Sequence, residues 1–140
     1  MKKLVSLVLC LCMIIGITAC TKVEQKSDLW ETATYTEDME FGTGEKVVNV
    51  EVIAGDKSVT FTLHTDKETV GDALIEHDLI AGEKGAYGLY VKFVNGIEAD
   101  YDKNGAYWGF NKNGEGLLTG VDGENIEDEA HYELIYTKAE

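Results

Sequence analysis

Two runs of alternating residues, joined by Gly55-Asp56, constrain the fold of this chain most strongly. In residues 48–52 and again in residues 59–63, apolar residues occupy every second position. Strict alternation is the period of a β-strand with one buried face. A Gly-Asp pair between two such runs forms a turn. The pattern predicts a β-hairpin, and the rest of the chain has to cover its apolar face.

A helix is predicted directly after this hairpin. Thr69 is the expected N-cap, with Asp72 three residues later to complete a capping box. Apolar residues recur at helical spacing through residues 70–77, so one face of the helix can pack on a sheet. His77 ends this stripe, and Gly82 is the predicted stop signal.

More strands follow the helix. Residues 87–94 and 97–101 flank Asn95-Gly96, which is a strong signal for a type I′ turn because both turn positions need positive φ. Further strands are predicted at 107–110 and 132–137. One helix then has to cover a mixed or antiparallel sheet, which indicates a small α+β domain. The order of elements fits a β-grasp-like arrangement, in which a sheet wraps around a single helix.

The first nineteen residues are predicted to be a targeting signal. Lys2 and Lys3 precede an apolar run, residues 4–15, which is shorter than the roughly 20 residues that a membrane span needs. The small residues Thr18-Ala19 then precede Cys20, as in a bacterial lipobox. We expect cleavage before Cys20 and lipidation of its sulfur, because acyl chains would anchor the protein without a spanning helix. The expected location is the extracytoplasmic face of the cell membrane.

The charge of the chain restricts its partners. Removing residues 1–19 takes away Lys2 and Lys3, so the formal net charge changes from −14 to −16, and there is no arginine. Nucleic acid is disfavoured as a partner because phosphate binding needs a basic surface. With Cys20 lipidated, the mature domain would also have no free thiol, which excludes disulfides and cysteine chemistry.

Residues 20–45 are predicted to be a lipidated cysteine followed by a flexible tether. The segment is polar and acidic with no clear period. Trp30 leaves a second interpretation open, in which this side chain anchors the segment to the folded part. The domain itself is assigned to residues 46–140.

The aromatic stretch at 107–114 supplies the main candidates for a binding surface. Adjacent strand residues point to opposite faces, so Trp108 and Phe110 share one face and Tyr107 takes the other. Aromatic residues in strands serve either as core or as exposed stacking platforms, and both interpretations stay open for Trp108. The candidate ligand-binding residues are Tyr87, Tyr90, Tyr107, Trp108, Phe110 and Asn111.

Four segments together resemble a known family. They are the hairpin at 48–63, residues 69–74, residues 87–96 and residues 107–114. In this order they resemble the transcobalamin-like C-terminal domain family, a domain of largely unknown function in bacterial lipoproteins. The resemblance covers most of residues 46–138. It implies a β-grasp-like fold, shared with a domain that helps to enclose cobalamin in animal carrier proteins, where a second, all-helical domain supplies much of the site.

Two functions follow as expectations. The first is a surface lipoprotein that binds a small ligand, cobalamin or a related corrinoid, and delivers it to a membrane transporter. The alternative is a protein-interaction or adhesion module on the cell surface with no small-molecule ligand. We do not predict an enzyme, because the three histidines are scattered and no nucleophile motif is present.

A metal-site hypothesis concerns residues 100–105. Asp100, Asp102 and Asn104 place oxygens at alternate positions before a glycine, as in the first half of a calcium loop. The twelfth position is Asn111, where that loop needs a glutamate. A tight connection between strands explains the same residues equally well, so calcium is disfavoured and no resident cofactor is predicted.

Overall fold

The computed structural model describes residues 28–140. The predicted signal peptide, Cys20 and the first part of the predicted tether lie outside the described residues. Within the described range, no helix is long and apolar enough to cross a membrane.

The described chain consists mainly of strands, with two short α-helices and one 3-10 helix. Its elements are a 3-10 helix (Leu29–Thr32), β1 (Met39–Gly42), β2 (Lys46–Ala54), β3 (Lys57–Thr65), α1 (Val70–Glu76), β4 (Ile80–Gly85), β5 (Gly88–Val94), β6 (Ile97–Glu98), α2 (Tyr101–Asn104), β7 (Ala106–Lys112), β8 (Glu115–Gly116) and β9 (His131–Lys138).

The strands form two open sheets. The large sheet has the order β1-β3-β2-β9-β7-β8, and β4-β5-β6 form the small sheet. The large sheet is mixed, because β1 runs parallel to β3 and β2 runs parallel to β9, whereas its other pairs are antiparallel. The α+β class and the mixed sheet are therefore confirmed. The 48–63 hairpin is also confirmed, and the second sheet was not predicted.

One face of the large sheet carries the core. Apolar side chains at every second position of β2 and β3 are buried, as the alternation predicts. The buried face of α1 packs into the same cluster. Each fully buried aliphatic or aromatic side chain of this kind contributes about 1.5–3 kcal/mol. The largest fully buried members are Tyr132, Phe61, Leu63, Leu74, Leu79, Ile97 and Leu134.

Helix α1 begins as predicted and ends earlier than predicted. The Thr69 side chain accepts a hydrogen bond from the Asp72 N–H at 3.1 Å, which caps the first turn. The helix ends at Glu76, and Asp78 follows with a φ of 55°. The stop assigned to Gly82 was wrong, because Gly82 lies in β4 beside a register shift. A Cβ there would be 1.9 Å from the carbonyl oxygen of Tyr90, so close strand approach explains this glycine.

Residues 28–42 pack on the domain, and we call them the N-terminal strap. Trp30 is 8% exposed, and its indole N–H donates to the carbonyl oxygen of Ala54 at 2.9 Å. Strand β1 adds to the edge of β3. Residues 28–45 therefore do not form a flexible tether. The interpretation in which Trp30 anchors the segment to the folded part is confirmed. Buried aromatic area outweighs the polar composition of this segment.

The Asn95-Gly96 turn holds the middle of the strap. Both residues have positive φ, 52° and 77°, as the predicted turn requires. The Asn95 side chain exchanges two hydrogen bonds with the backbone of Tyr35. A Cβ at position 96 would lie 2.4 Å from the carbonyl oxygen of Thr32, so only glycine lets the strap approach the turn this closely.

Candidate functional site

Trp108 and Phe110 point into the core, on the face of β7 that the alternation assigned to them jointly. Trp108 is 9% exposed, and its indole N–H donates to the carbonyl oxygen of Lys92 at 3.3 Å. Its ring contacts that of Tyr136 edge-on, and the Phe110 ring stacks on that of Tyr132. Trp108 thus joins the large sheet to the small sheet, and Phe110 packs against the core within the large sheet.

Tyr107 and Asn111 lie on the opposite face of β7, which we call the outer face of the large sheet. Tyr107 is 41% exposed and Asn111 is half-buried. This face also carries Glu51, Ile53, His131 and Ile135, all of them half-buried. No element among residues 28–140 covers it. The side chains of the predicted aromatic stretch therefore alternate between the core face of β7 and its solvent-facing side.

Tyr87 and Tyr90 belong to the hairpin formed by β4 and β5. Tyr87 stands fully exposed in the connecting turn, and Tyr90 is exposed on β5. The Lys92 Nζ lies 5.8 Å from the centre of the Tyr90 ring, within range of a cation–π contact. Lys92 also pairs with Glu83 at 3.3 Å and with Asp100 at 3.4 Å.

Leu118 is a second fully exposed apolar side chain, and it lies in a loop that contacts this hairpin. The Asp122 carboxylate, four residues later, accepts a hydrogen bond from the Leu89 N–H at 2.9 Å and so ties the two loops together. We call Tyr87, Tyr90 and Leu118 the hairpin–loop rim. Sequence reasoning missed Leu118, because a Leu-Leu pair in a glycine-rich loop carries no periodic signal that separates exposed from buried positions.

The loop that carries Leu118 is fastened to the domain. Val121 is buried, and its carbonyl oxygen accepts from the Gly71 N–H at the start of α1, 2.8 Å away. The Lys112 Nζ lies 2.5 Å from a Glu127 oxygen and 3.2 Å from a Glu124 oxygen. These two carboxylates, Glu127 foremost, raise the pKa of Lys112 well above its usual range. These contacts therefore hold in place the loop that carries Leu118.

The half-calcium-loop residues form a capped helical turn. One Asp100 oxygen accepts from the backbone N–H groups of Asp102 and Lys103, and Asn104 accepts from the Asp100 N–H. Burial alone would raise the pKa of Asp100, but these N–H groups and the Lys92 ammonium bring it below its ordinary value. The oxygens thus serve the connection from β6 to β7. Among the described residues, no group of three or more histidine, cysteine or acidic side chains is placed to hold a metal ion.

The three histidines occupy two regions. His131 pairs with Glu51 at 3.1 Å on the outer face. His64 pairs with Glu40, and it lines a groove of about 450 Å³ together with His77. The Nε2 atom of His77 is buried and has no hydrogen-bond partner among the described residues.

Comparison with known proteins gives one family and a set of solved structures. The family model described as "Domain of unknown function (DUF4430)" matches residues 67–134. A protein from Ruminococcus gnavus ATCC 29149 that is proposed to bind metal is 33% identical; the match covers 69% of this chain and 100% of that one, with a TM-score of 0.65. No curated protein matches the chain.

A second solved structure is that of haptocorrin in complex with Cbi. It is 19% identical, and the match covers 71% of this chain with a TM-score of 0.53. The likeness therefore concerns the fold. This chain spans 27% of the length of haptocorrin. Both relatives are described as binding proteins rather than as enzymes.

Proposed function

We propose that this chain, which belongs to the DUF4430 domain family and has a transcobalamin-like fold, binds a small ligand at its hairpin–loop rim. The observation that carries the proposal is the shared fold with haptocorrin, whose structure contains Cbi. The ligand class we propose is a corrinoid. Because this chain corresponds to about a quarter of haptocorrin, the rim would supply one wall of a site instead of a full enclosure.

The chemistry of the rim suits a large planar ligand. Tyr87 and Tyr90 offer aromatic faces with hydroxyl groups, and Leu118 adds an exposed apolar side chain on the loop that Asp122 ties to this hairpin. Aromatic contacts of this kind contribute about 0.5–1.5 kcal/mol beyond their buried area. Large exposed apolar side chains on fastened loops are typical of ligand or protein contacts. We do not extend the metal proposal made for the Ruminococcus gnavus protein to this chain, because the described residues offer no ligand set.

Calorimetric titration of the purified chain with cobinamide and cyanocobalamin tests the proposal. We expect binding, and a loss of affinity of roughly two- to tenfold in Tyr87→Ala and Tyr90→Ala, since removing one stacking contact costs about 0.5–1.5 kcal/mol. Tyr101→Ala is the matched control, because Tyr101 is an exposed tyrosine on α2. Absence of heat at high micromolar concentration of either corrinoid would refute the ligand class. An equal loss of affinity in the control variant would refute the assignment of the binding site to the rim.

The anchoring of the protein is a separate part of the proposal. The sequence predicts lipidation at Cys20 and hence a lipoprotein on the extracytoplasmic face of the membrane, where it would pass its ligand to a transporter. Mass spectrometry of the N-terminal peptide should find acyl chains on Cys20, and Cys20→Ser should move the protein from the detergent phase to the aqueous phase. A wild-type protein that stays in the aqueous phase would exclude the anchor without affecting ligand binding.

The β-grasp description of the fold also stays a proposal. In its favour, the β2–β3 hairpin precedes the helix that covers the sheet, and the last strand, β9, returns to lie parallel to β2. An experimental structure in which α1 does not pack across this sheet would exclude it.

A second candidate function is a protein-interaction or adhesion module. The favouring observation is the outer face of the large sheet, which is half-exposed and uncovered within residues 28–140. A Tyr107→Ala and Ile135→Glu double variant would abolish such an interaction and leave corrinoid titrations unchanged. Loss of corrinoid binding in this variant would count against the assignment of the rim.

A further inference from the structure

The start of the N-terminal strap and the hairpin–loop rim lie at opposite ends of the domain. Trp30 binds the carbonyl oxygen of Ala54, and Asp28 pairs with Lys57 at 2.8 Å, so the strap begins beside the turn between β2 and β3. We call this the strap end. The register of the sheet places the first residue of β7 and the last residue of β9 at the same end, since Ile53 lies opposite Ile135 and Ala106 opposite Lys138.

The rim belongs to the other end of the sheet. Lys112, the last residue of β7, holds the loop at Glu124 and Glu127, and this loop reaches the start of β5 through Asp122 and Leu89. Strand β5 then runs back toward the strap, because Asn95 at its end binds Tyr35. Strand β2 has nine residues and so eight steps, which separates its two ends by about 26 Å at 3.3 Å per residue.

The chain between the predicted anchor and the strap is short. Eight residue steps separate Cys20 from Asp28. Whatever conformation these residues adopt, they span at most about 26–29 Å. For the rim end to meet the membrane, this segment would have to run back along the whole sheet at full extension. Any less extended arrangement keeps the strap end nearer to the bilayer.

We infer that the domain is mounted with its strap end toward the membrane and its hairpin–loop rim facing outward. The inference rests on the proposed lipidation of Cys20. Because the chain carries a net negative charge, an anionic bilayer surface would not attract the rim end. The rim would thus meet ligands from the medium, and a transporter component that accepts the ligand would have to reach the side of the domain that faces away from the bilayer.

Energy transfer to acceptor-labelled lipids tests this orientation. Asp56→Cys labels the strap end and Glu115→Cys the rim end, and both residues are exposed acidic positions. In vesicles carrying the full lipoprotein, transfer from position 56 should exceed transfer from position 115 by about twofold, because the sheet register places Glu115 level with Val50, about 17–20 Å farther along the strands. Insertion of twelve Gly/Ser residues between Lys26 and Ser27 should remove most of the difference, because the length restraint is relaxed.

Equal transfer from both positions, or stronger transfer from position 115, would overturn the orientation. A second chain keeps this result separate from failure of lipidation. In it, a hexahistidine tag replaces residues 1–20 and binds nickel-chelating lipids, which places an anchor at the same point of the sequence. A difference between the two labels in this chain alone would support the strap geometry and refute the lipid anchor.

Discussion

Asn95 and Tyr35 exchange two hydrogen bonds across 60 residues of sequence. The Asn95 Nδ2 donates to the Tyr35 carbonyl oxygen at 2.7 Å, and the Tyr35 N–H donates to the Asn95 Oδ1 at 2.8 Å. The side chain of a turn residue thus takes the place of a strand partner for the strap. Because Asn95 is 1% exposed, these groups have no access to water as a substitute.

Asn95→Ala should destabilise the domain by about 2–3 kcal/mol, because two hydrogen bonds are lost and alanine disfavours positive φ. Urea unfolding of the purified chain measures the change. Asn95→Gly is the matched control, since it loses the same hydrogen bonds but accepts the backbone conformation. We expect the glycine variant to be about 1 kcal/mol more stable than the alanine variant. Wild-type stability in both variants would show that the strap does not depend on Asn95.

Trp30→Ala should cost about 3–5 kcal/mol, because it leaves a cavity under the strap. Trp30→Phe keeps most of the buried area and loses the hydrogen bond to Ala54, so it should cost less. Thermal unfolding followed by circular dichroism distinguishes the two variants. An unchanged melting temperature in Trp30→Ala would contradict the packing of the strap.

Deletion of the strap is a stronger form of the same prediction. A chain of residues 46–140 matches the domain boundary that the sequence indicates, but it lacks Trp30, Tyr35 and Phe41, which pack against the core. We expect this shorter chain to bind a hydrophobic dye and to unfold at a lower urea concentration than residues 28–140 do. Equal unfolding midpoints of the two chains would show that the stable domain begins at residue 46.

Trp108→Phe should leave corrinoid affinity unchanged and lower stability by about 1 kcal/mol, because its indole N–H bonds the Lys92 carbonyl oxygen inside the protein. Parallel calorimetry and unfolding experiments separate these effects, with Tyr87→Ala as the complementary variant that should do the reverse. A tenfold fall in affinity for Trp108→Phe in a chain of normal stability would make Trp108 a ligand residue after all.

Asp100 should make folding depend on pH at the acid end. Its folded-state pKa is lowered, so its charged form contributes stability that is present above the unfolded pKa and is lost as the pH falls through the folded pKa. Asp100→Asn keeps an N-cap side chain but cannot pair with Lys92. The variant should therefore be less stable than the wild type at pH 7, and the difference should shrink below about pH 4. A difference in urea midpoint that is equal at pH 7 and pH 3 would contradict this role.

Local patterns predicted the elements whose signals lie within a few residues. Alternation identified the β2–β3 hairpin, Thr69 marked the start of α1, and Asn95-Gly96 marked a turn with two positive φ values. The same alternation separated Trp108 from Tyr107. Strand β4 was missed because its residues after Ile80 are small or charged and exposed, so no apolar period marks it.

The candidate site was predicted only in part. Tyr87 and Tyr90 were singled out for their residue type, and both are exposed. Leu118 was missed, and for Asp100 a calcium-ligand role and a role in a tight connection could not be separated, because both cases depend on partners far away in sequence or on local capping geometry. An aspartate that caps a helix and one that binds an ion have the same spacing in sequence.

The sequence by itself determined the strand and helix periods, the turn chemistry, the net charge and the predicted lipidation signal, since each of these is set by neighbouring residues. The tertiary structure decided that β9 lies between β2 and β7, that residues 28–42 are a strap, and that the rim lies at the end of the sheet opposite to the start of this strap. The physical reason is that these arrangements depend on apolar area and hydrogen bonds shared between segments tens of residues apart, and such pairings leave no local period.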